Sequence, residues 1–242
     1  MKQSGAFVML ALTTLVLQAL PARAGAQLRP GMGGGPPAAS QFRIYAMGGW
    51  AEVDVDEMNA RLGGLPEPYT PVDDDMVVVG GGLHARMKRV LAGVEGAVLL
   101  SLEEAQVADA RRAAFSGFHG AILVGFSILQ TEGLDIYPLV QLGGAGASLE
   151  VQERGDPSWD DVLGDPGRSS TLSTFTVYGA GGVGIEYAFP GGFFAGLRGT
   201  WAYTPSSDGW SAEDGDVLGG PEVALSGPNL RLMIGFGGRG GR

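Results

Sequence analysis

The chain has 242 residues, 43 Gly, no Cys and a formal net charge of −10, a balance that argues against nucleic acid as a partner, because phosphate backbones recruit Lys and Arg. Its glycine content is too high for a helical protein, while a mean hydropathy of +0.13 is too apolar for a disordered one. An all-β domain is the consistent reading, and without thiols neither disulfides nor thiolate zinc sites can contribute.

Residues 1–26 carry one early lysine, an apolar run from Ala6 to Leu20 and two small-x-small sites, Ala22-Arg23-Ala24 and Ala24-Gly25-Ala26. The run is shorter than the roughly 20 residues a membrane helix needs, so the segment reads as a secretory signal peptide cleaved near Ala24 or Ala26. No later stretch is apolar for as long as about 18 residues, so no membrane helix is expected after it. Residues 27–40 (QLRPGMGGGPPAAS) are rich in Gly and Pro without periodicity and read as a flexible tether.

Alternation of period two then takes over. Phe42, Ile44, Ala46, Gly48 and Trp50 face one way and Arg43, Tyr45, Met47 and Gly49 the other. Residues 55–75 have no such pattern, carry Pro66, Pro68 and Pro71, and read as a long loop. A strand from Met76 to Met87 and another from Val90 to Leu102 follow, separated only by Lys88-Arg89. That turn brings Met87 opposite Val90, although its chemistry is not the Asn or Gly that primed turns favour. After a shorter polar connection, residues 103–113, a strand through Phe118, Ile122, Val124, Phe126 and Ile128 turns at Thr131-Glu132-Gly133. The turn sets Ile128 opposite Ile136 and Phe126 opposite Pro138. In the return strand the apolar parity switches after Gly143-Gly144, from Ile136, Val140 and Leu142 to Ala145, Ala147, Leu149 and Val151, which suggests a bulge.

Residues 153–173 and 204–226 read as two further long loops, with a strand pair between them and a last strand, Asn229 to Phe236, after them. In that pair the odd positions Phe175 to Phe189 are apolar or Gly, Pro190-Gly191-Gly192 turns the chain, and Phe193, Ala195, Leu197, Gly199, Trp201 and Tyr203 continue the apolar face. Pairing across the turn puts odd residues opposite odd, so the two apolar faces coincide. They form a surface too large and continuous to leave in water. Even-numbered connections are therefore tight and odd-numbered ones long, which in an up-and-down barrel places the long loops at one rim and the turns at the other. The fold expected is an all-β, eight-stranded antiparallel up-and-down transmembrane barrel over residues 41–238, with a short tail at 239–242.

This organisation, from Phe42 to Phe236 and preceded by a signal peptide, resembles the small eight-stranded outer-membrane β-barrels of the OmpA and OmpX kind, grouped with porin-like outer-membrane proteins. The likeness rests on strand and loop organisation, not on a catalytic motif. It departs at the end, where Phe236 is followed by Gly237-Gly238-Arg239-Gly240-Gly241-Arg242 instead of closing the chain. The resemblance implies residence in the cell outer membrane, a periplasmic tether, insertion by barrel-assembly machinery, outer-membrane lipid and lipopolysaccharide as surroundings, a monomer, and no cofactor.

With hydrocarbon outside, the second faces line an interior: Arg43, His84, Arg86, Glu95, His119, Gln141, Glu186, Arg198 and Arg231. An eight-stranded barrel is only wide enough for side chains to fill, so these charges must pair. Glu186 and Arg198 are diagonal neighbours, and Arg231 on the adjoining strand is placed to join them. A structural salt-bridged plug is favoured over a conduction path or catalytic site. Aromatics at strand ends (Phe42, Trp50, Phe189, Phe193, Trp201, Tyr203) suit interfacial girdles. The role expected is structural or interactive, and not enzymatic. A narrow pore for small solutes or ions is the alternative, a lipid-modifying hydrolase a weaker one, and a soluble exported barrel with an internal ligand another. For a hydrolase, His119 and Ser116 fall on opposite faces and no orienting acid is marked. The long connections (residues 55–75, 103–113, 153–173 and 204–226) hold 19 acidic against 5 basic residues. Their plainer meaning is a solvated, repulsive rim. Their sharper one is divalent-cation binding by Asp73, Asp74, Asp75, Asp160, Asp161, Asp214 and Asp216, although no spacing matches a defined calcium loop.

Overall fold

The computed structural model describes residues 40–66, 69–101, 111–131, 133–152, 169–205, 209–212, 215–217 and 220–239. The segments expected to be a signal peptide and a tether, up to residue 39, and residues 240–242 lie outside these. Eight long strands run in chain order: β1 (Ser40–Glu52), β2 (Asp75–Met87), β3 (Val90–Ser101), β4 (Arg112–Phe126), β5 (Leu134–Gln152), β6 (Ser169–Ala188), β7 (Phe193–Tyr203) and β8 (Gly227–Arg239). Each pairs antiparallel with its chain neighbours, and β1 pairs with β8 from Gln41↔Arg239 to Ala51↔Asn229, which closes the sheet. The protein is an all-β, eight-stranded antiparallel barrel, as the alternation implied.

Registers follow from the turns. Gly191 and Gly192 take φ of 95° and 88°, a left-handed backbone that glycine adopts without a Cβ penalty. The backbone N–H of Phe189 donates to the carbonyl of Phe193 at 2.8 Å. From there β6 and β7 pair as expected, with Glu186 opposite Gly196 and Gly184 opposite Arg198. At the Lys88-Arg89 turn, Lys88 itself takes the left-handed φ of 56°. Met87 still meets Val90, and the apolar faces stay matched to Met76↔Ser101.

Two expectations about β4 and β5 need correction. Their register is unbroken from Gly125↔Leu139 to Arg112↔Gln152, so there is no bulge at Gly143-Gly144. Ala145, Ala147 and Leu149 point inward and are buried, on the same parity as Gln141. What changes at that height is the chemistry of the interior, not the direction of the side chains. The irregularity lies at the other end, where a two-residue strand, Leu129–Gln130, pairs one step out of register, so Leu129 and not Ile128 is the partner of Ile136. The Ile128 N–H still donates to the Ile136 carbonyl at 3.0 Å. Even residues of β5 therefore turn their backbone groups toward β4, and the missing N–H of Pro138 falls in the break between the two registers.

The first long connection is not all loop. Residues Asp56–Gly63 form helix α1, with Asp56 and Glu57 in the first turn and Arg61 in the last, each favourable to the helix dipole. Met58 and Leu62, four apart on one face, are its buried residues. The Asn59 side chain both donates to the Val72 carbonyl (2.9 Å) and accepts from the Val72 N–H (2.7 Å), tying the helix to the segment entering β2. Two apolar residues and no side-chain cap are too little periodicity to reveal such an element. The last long connection likewise holds a short hairpin, Trp210–Ala212 with Gly215–Val217. Its Trp210 is 1% exposed and donates Nε1–H to the Pro221 carbonyl at 2.7 Å. Met58, Leu62, Val72, Trp210 and Val223 join Phe115, Ala145, Ala147 and Leu149 in one buried apolar cluster at the long-connection end of the interior.

Outside, the wall is a belt of large apolar side chains, with Ile122, Leu142, Phe175, Leu232 and Phe236 each at least 58% exposed. At the short-turn end, Tyr187, Phe189, Phe193 and Phe236 form a continuous run of rings, with successive centroids 4.9, 5.4 and 5.6 Å apart. A belt of this extent requires hydrocarbon as its solvent. Among the described residues, no helix is long and apolar enough to cross a bilayer. A closed barrel of this kind resists detergent until heated. The purified protein is therefore expected to run at two positions on a detergent gel, one before boiling and one after, and a single unchanged band would contradict the closed sheet.

Candidate functional site

The interior is organised by two buried carboxylates at different heights. Glu95, on β3, is met by side chains from four other strands. Tyr45 of β1 donates its hydroxyl to Oε2 at 2.9 Å, and Gln141 of β5 donates Nε2–H to Oε1 at 2.7 Å. Arg231 of β8 donates Nη1–H to Oε1 at 2.6 Å, and Arg198 of β7 donates to Oε2. Arg198 and Arg231 are direct cross-strand partners. Two like charges side by side would repel, and the one carboxylate that both reach removes that cost. Arg231 is held from behind by Asn229, whose Oδ1 accepts its Nε–H at 2.7 Å, and Tyr178 of β6 donates its hydroxyl to Gln141 Oε1 at 3.2 Å.

Glu186, on β6, lies nearer the short turns. It accepts from Arg43 of β1 and from the Tyr137 hydroxyl of β5. His84 Nε2 stands 3.6 Å away, Arg86 Nη2 3.9 Å and Arg198 Nη2 4.0 Å. Arg198 Nη2 also donates to the Tyr137 hydroxyl at 3.2 Å, so this guanidinium links the two carboxylate centres. Arg86 is ion-paired with Asp135, and the Arg43 guanidinium lies 4.9 Å over the Phe194 ring. Tyr137 finds room because its cross-strand partner is Gly184, where an added Cβ would fall 2.6 Å from its hydroxyl.

The structure thus brings Arg43, His84, Arg86, Glu95, Glu186, Arg198 and Arg231 into one connected interior network. The expected Glu186 and Arg198 pair is present only at 4.0 Å. Arg198 sits tighter on Glu95 across the lumen, and Arg231 joins through Glu95, not through Glu186. Such cross-lumen contacts depend on strand tilt and side-chain reach, which neighbour-pair registers do not encode. His119 makes no ion pair among the described residues but lies within electrostatic reach of Glu95 and Arg231, stacked on Tyr178 with ring centroids 4.7 Å apart and planes 11° from parallel. Ser116 lies on the opposite parity of β4, so the two do not meet.

Sequence reasoning missed Asp135 and the tyrosines Tyr45, Tyr137 and Tyr178. Asp135 obeys the inward parity of β5 but stands so close to the turn that it reads as part of it. Of the acidic loop residues, Asp160, Asp161 and Asp214 lie outside the described residues, and Asp216 sits in the short hairpin. The carboxylates of Asp73, Asp74 and Asp75 gather within 4.8 Å of one another. Asp75 there accepts the Trp50 indole N–H at 2.7 Å and the Asp73 side chain accepts the Asp75 backbone N–H at 3.1 Å, so part of this cluster's capacity is already used.

Because Glu95 neutralises two arginines at once, Glu95→Gln is expected to leave buried positive charge uncompensated and to cost about 3–5 kcal/mol. Removing the solvent-exposed α1 pair of Arg61 and Glu57 with Glu57→Gln should cost only about 0.3–0.5 kcal/mol. Urea unfolding of the barrel in lipid vesicles would measure both, and equal losses would contradict the role given to Glu95.

No family model matches the sequence, and no curated protein matches it either. Solved structures do. A major outer membrane protein from Thermus thermophilus is 10% identical, with a TM-score of 0.50, over 83% of this chain and 100% of that one. Neisserial surface protein A is 9% identical, with a TM-score of 0.48, over 84% of this chain and 98% of that one. Ail, the attachment invasion locus protein of Yersinia pestis, solved in complex with the heparin analogue sucrose octasulfate, is 14% identical, with a TM-score of 0.46, over 82% of this chain and 99% of that one. At 10% identity and a TM-score of 0.50, the likeness to the Thermus thermophilus protein is the one that bears on this chain, and it speaks for the fold alone. Together with the closed eight-strand sheet, its apolar outer belt and its charged interior, it gives this chain the fold of the small outer-membrane β-barrels.

Proposed function

We propose that the protein is an integral outer-membrane barrel with a structural or surface-interaction role, in which the lumen is a sealed strut and the rim of long connections does the work. The observation that carries this reading is Glu95, whose four donors come from β1, β5, β7 and β8 and so span the interior from wall to wall. A conduction path would need those groups to part, and each parting leaves a buried charge without its partner. The apolar cluster under α1 and Trp210 supports the same reading at the long-connection end.

On this reading the short turns lie in the periplasm with the tether, and the long acidic connections face outward among lipid and lipopolysaccharide. A catalytic role is not supported by the placement of His119, which stacks on Tyr178 inside the barrel while Ser116 lies on the opposite parity of β4. The test is recording from planar bilayers: the wild-type barrel is expected to insert without conductance steps. Replacing Glu95, Arg198 and Arg231 together by Ala should introduce them, since it empties the middle of the lumen. Regular steps from the wild type would overturn the reading in favour of a narrow pore.

A further inference from the structure

Much of the outer wall is studded with branched or aromatic side chains, and a stretch across β6, β7, β8 and β1 is concave. Its floor is Gly181 and Gly199, and its sides are Trp50, Trp201, Leu197 and Leu230. The glycines are what open it. A Cβ on Gly181 would meet nothing within 4 Å, and one on Gly199 would meet only Leu230 Cδ1 at 4.0 Å. Neither glycine is there for a tight turn or a close backbone approach, so packing within the barrel does not account for them. The registers explain the depth: Gly181 lies opposite Trp201, Gly199 lies between Val183 and Leu230, and Trp50 faces Leu230 from the other side. Two missing side chains are thus framed by two indoles. The groove is open along the wall, with a volume of about 560 Å³.

We propose that this groove is a binding site for a single acyl chain of a membrane lipid, on the half of the wall nearer the long connections. The inference rests on the membrane reading of the belt, because the groove is continuous with the surface that already meets hydrocarbon. Within a bilayer apolar surfaces gain nothing from leaving water, and selection among lipids or partners comes from packing. A linear chain lying over Gly181 and Gly199, with Trp50 and Trp201 beside it, makes contacts that a flat wall cannot offer. A two-fold interface between copies would seat the indoles of each on the glycine floor of the other, and that dimer is the competing outcome of the test.

Native mass spectrometry of the full mature barrel, loaded from dimyristoylphosphatidylglycerol vesicles and released from detergent, tests this. The wild type is expected to retain one phospholipid. The filled variant Gly181→Leu/Gly199→Leu should retain it about fivefold less, the loss of on the order of ten carbon–carbon contacts. Retention unchanged in a filled variant that still shows heat-modifiable migration would overturn the site while leaving the barrel assignment intact. A wild type that carries no lipid, or that leaves the detergent as a lipid-free dimer, would overturn it as well. If the filled variant does not fold, Trp201→Ala removes a side of the groove without crowding the strands. It is then expected to show the same direction of loss, and retention at the wild-type level would count against the site.

Discussion

A polypeptide crossing hydrocarbon has no water to satisfy its backbone, and this single constraint accounts for most of what the chain does. Each N–H and C=O at the depth of the apolar belt must find its partner in a neighbouring strand, so an open sheet edge is excluded and β1 must meet β8. Their eleven paired positions, from Gln41↔Arg239 to Ala51↔Asn229, make that closure. Because β8 ends the sheet, closure also explains why its pairing continues past Phe236, through Gly237 and Gly238 to Arg239: the first strand begins at Ser40 and needs a partner along its whole length.

Closing eight strands fixes the width, and the width dictates the chemistry inside. A lumen this narrow cannot hold bulk water around four arginines and three carboxylates, so each charge must be neutralised by another. The solution is hierarchical. Glu95 serves Arg198 and Arg231, Glu186 serves Arg43, Asp135 serves Arg86, and Arg198 ties the first two centres together. Buried ion pairs of this kind add little stability relative to apolar packing, but they are unforgiving of displacement. In a barrel that has a specific use. Sliding one strand by a residue turns its whole inward set outward, and here that would push an arginine or a glutamate into lipid while separating it from its partner. The network therefore penalises every wrong register far more than it rewards the right one.

Local physics made the fold legible in the sequence, while cross-lumen contacts stayed hidden. The alternation from Thr174 to Tyr203, with its three-residue turn, specifies the β6 to β7 register without reference to the rest of the chain. The Lys88-Arg89 turn does the same for β2 and β3 despite poor turn chemistry, because two long apolar faces outweigh one residue in a left-handed conformation. Inward parity places Arg43, Glu95, Glu186, Arg198 and Arg231 inside from sequence alone. It does not say that Arg198 reaches Glu95 across the barrel more closely than Glu186 on the neighbouring strand. Nor does it find α1, whose two buried residues carry too weak a period, or Asp135, which sits at the edge of a turn.

The parity switch inferred at Gly143-Gly144 is the most informative error. Apolar residues on one face of a strand mark what that face avoids, namely water, and say nothing of which side of the wall it is on. In the belt the apolar face of β5 is outward, at Ile136, Val140 and Leu142, because lipid is outside and charge is inside. Farther along the same strand, past the glycines, Ala145, Ala147 and Leu149 turn the apolar face inward against α1, Trp210 and Phe115, with Ser148 and Glu150 on the outside. The backbone keeps its register throughout. What inverts is the interior, from a polar lumen around Gln141 to an apolar core around Ala145, Ala147 and Leu149, and β5 carries both halves in one uninterrupted strand. The point of inversion in the hydropathy pattern is therefore a marker of a change in what the barrel encloses, written in the sequence at Gly143-Gly144.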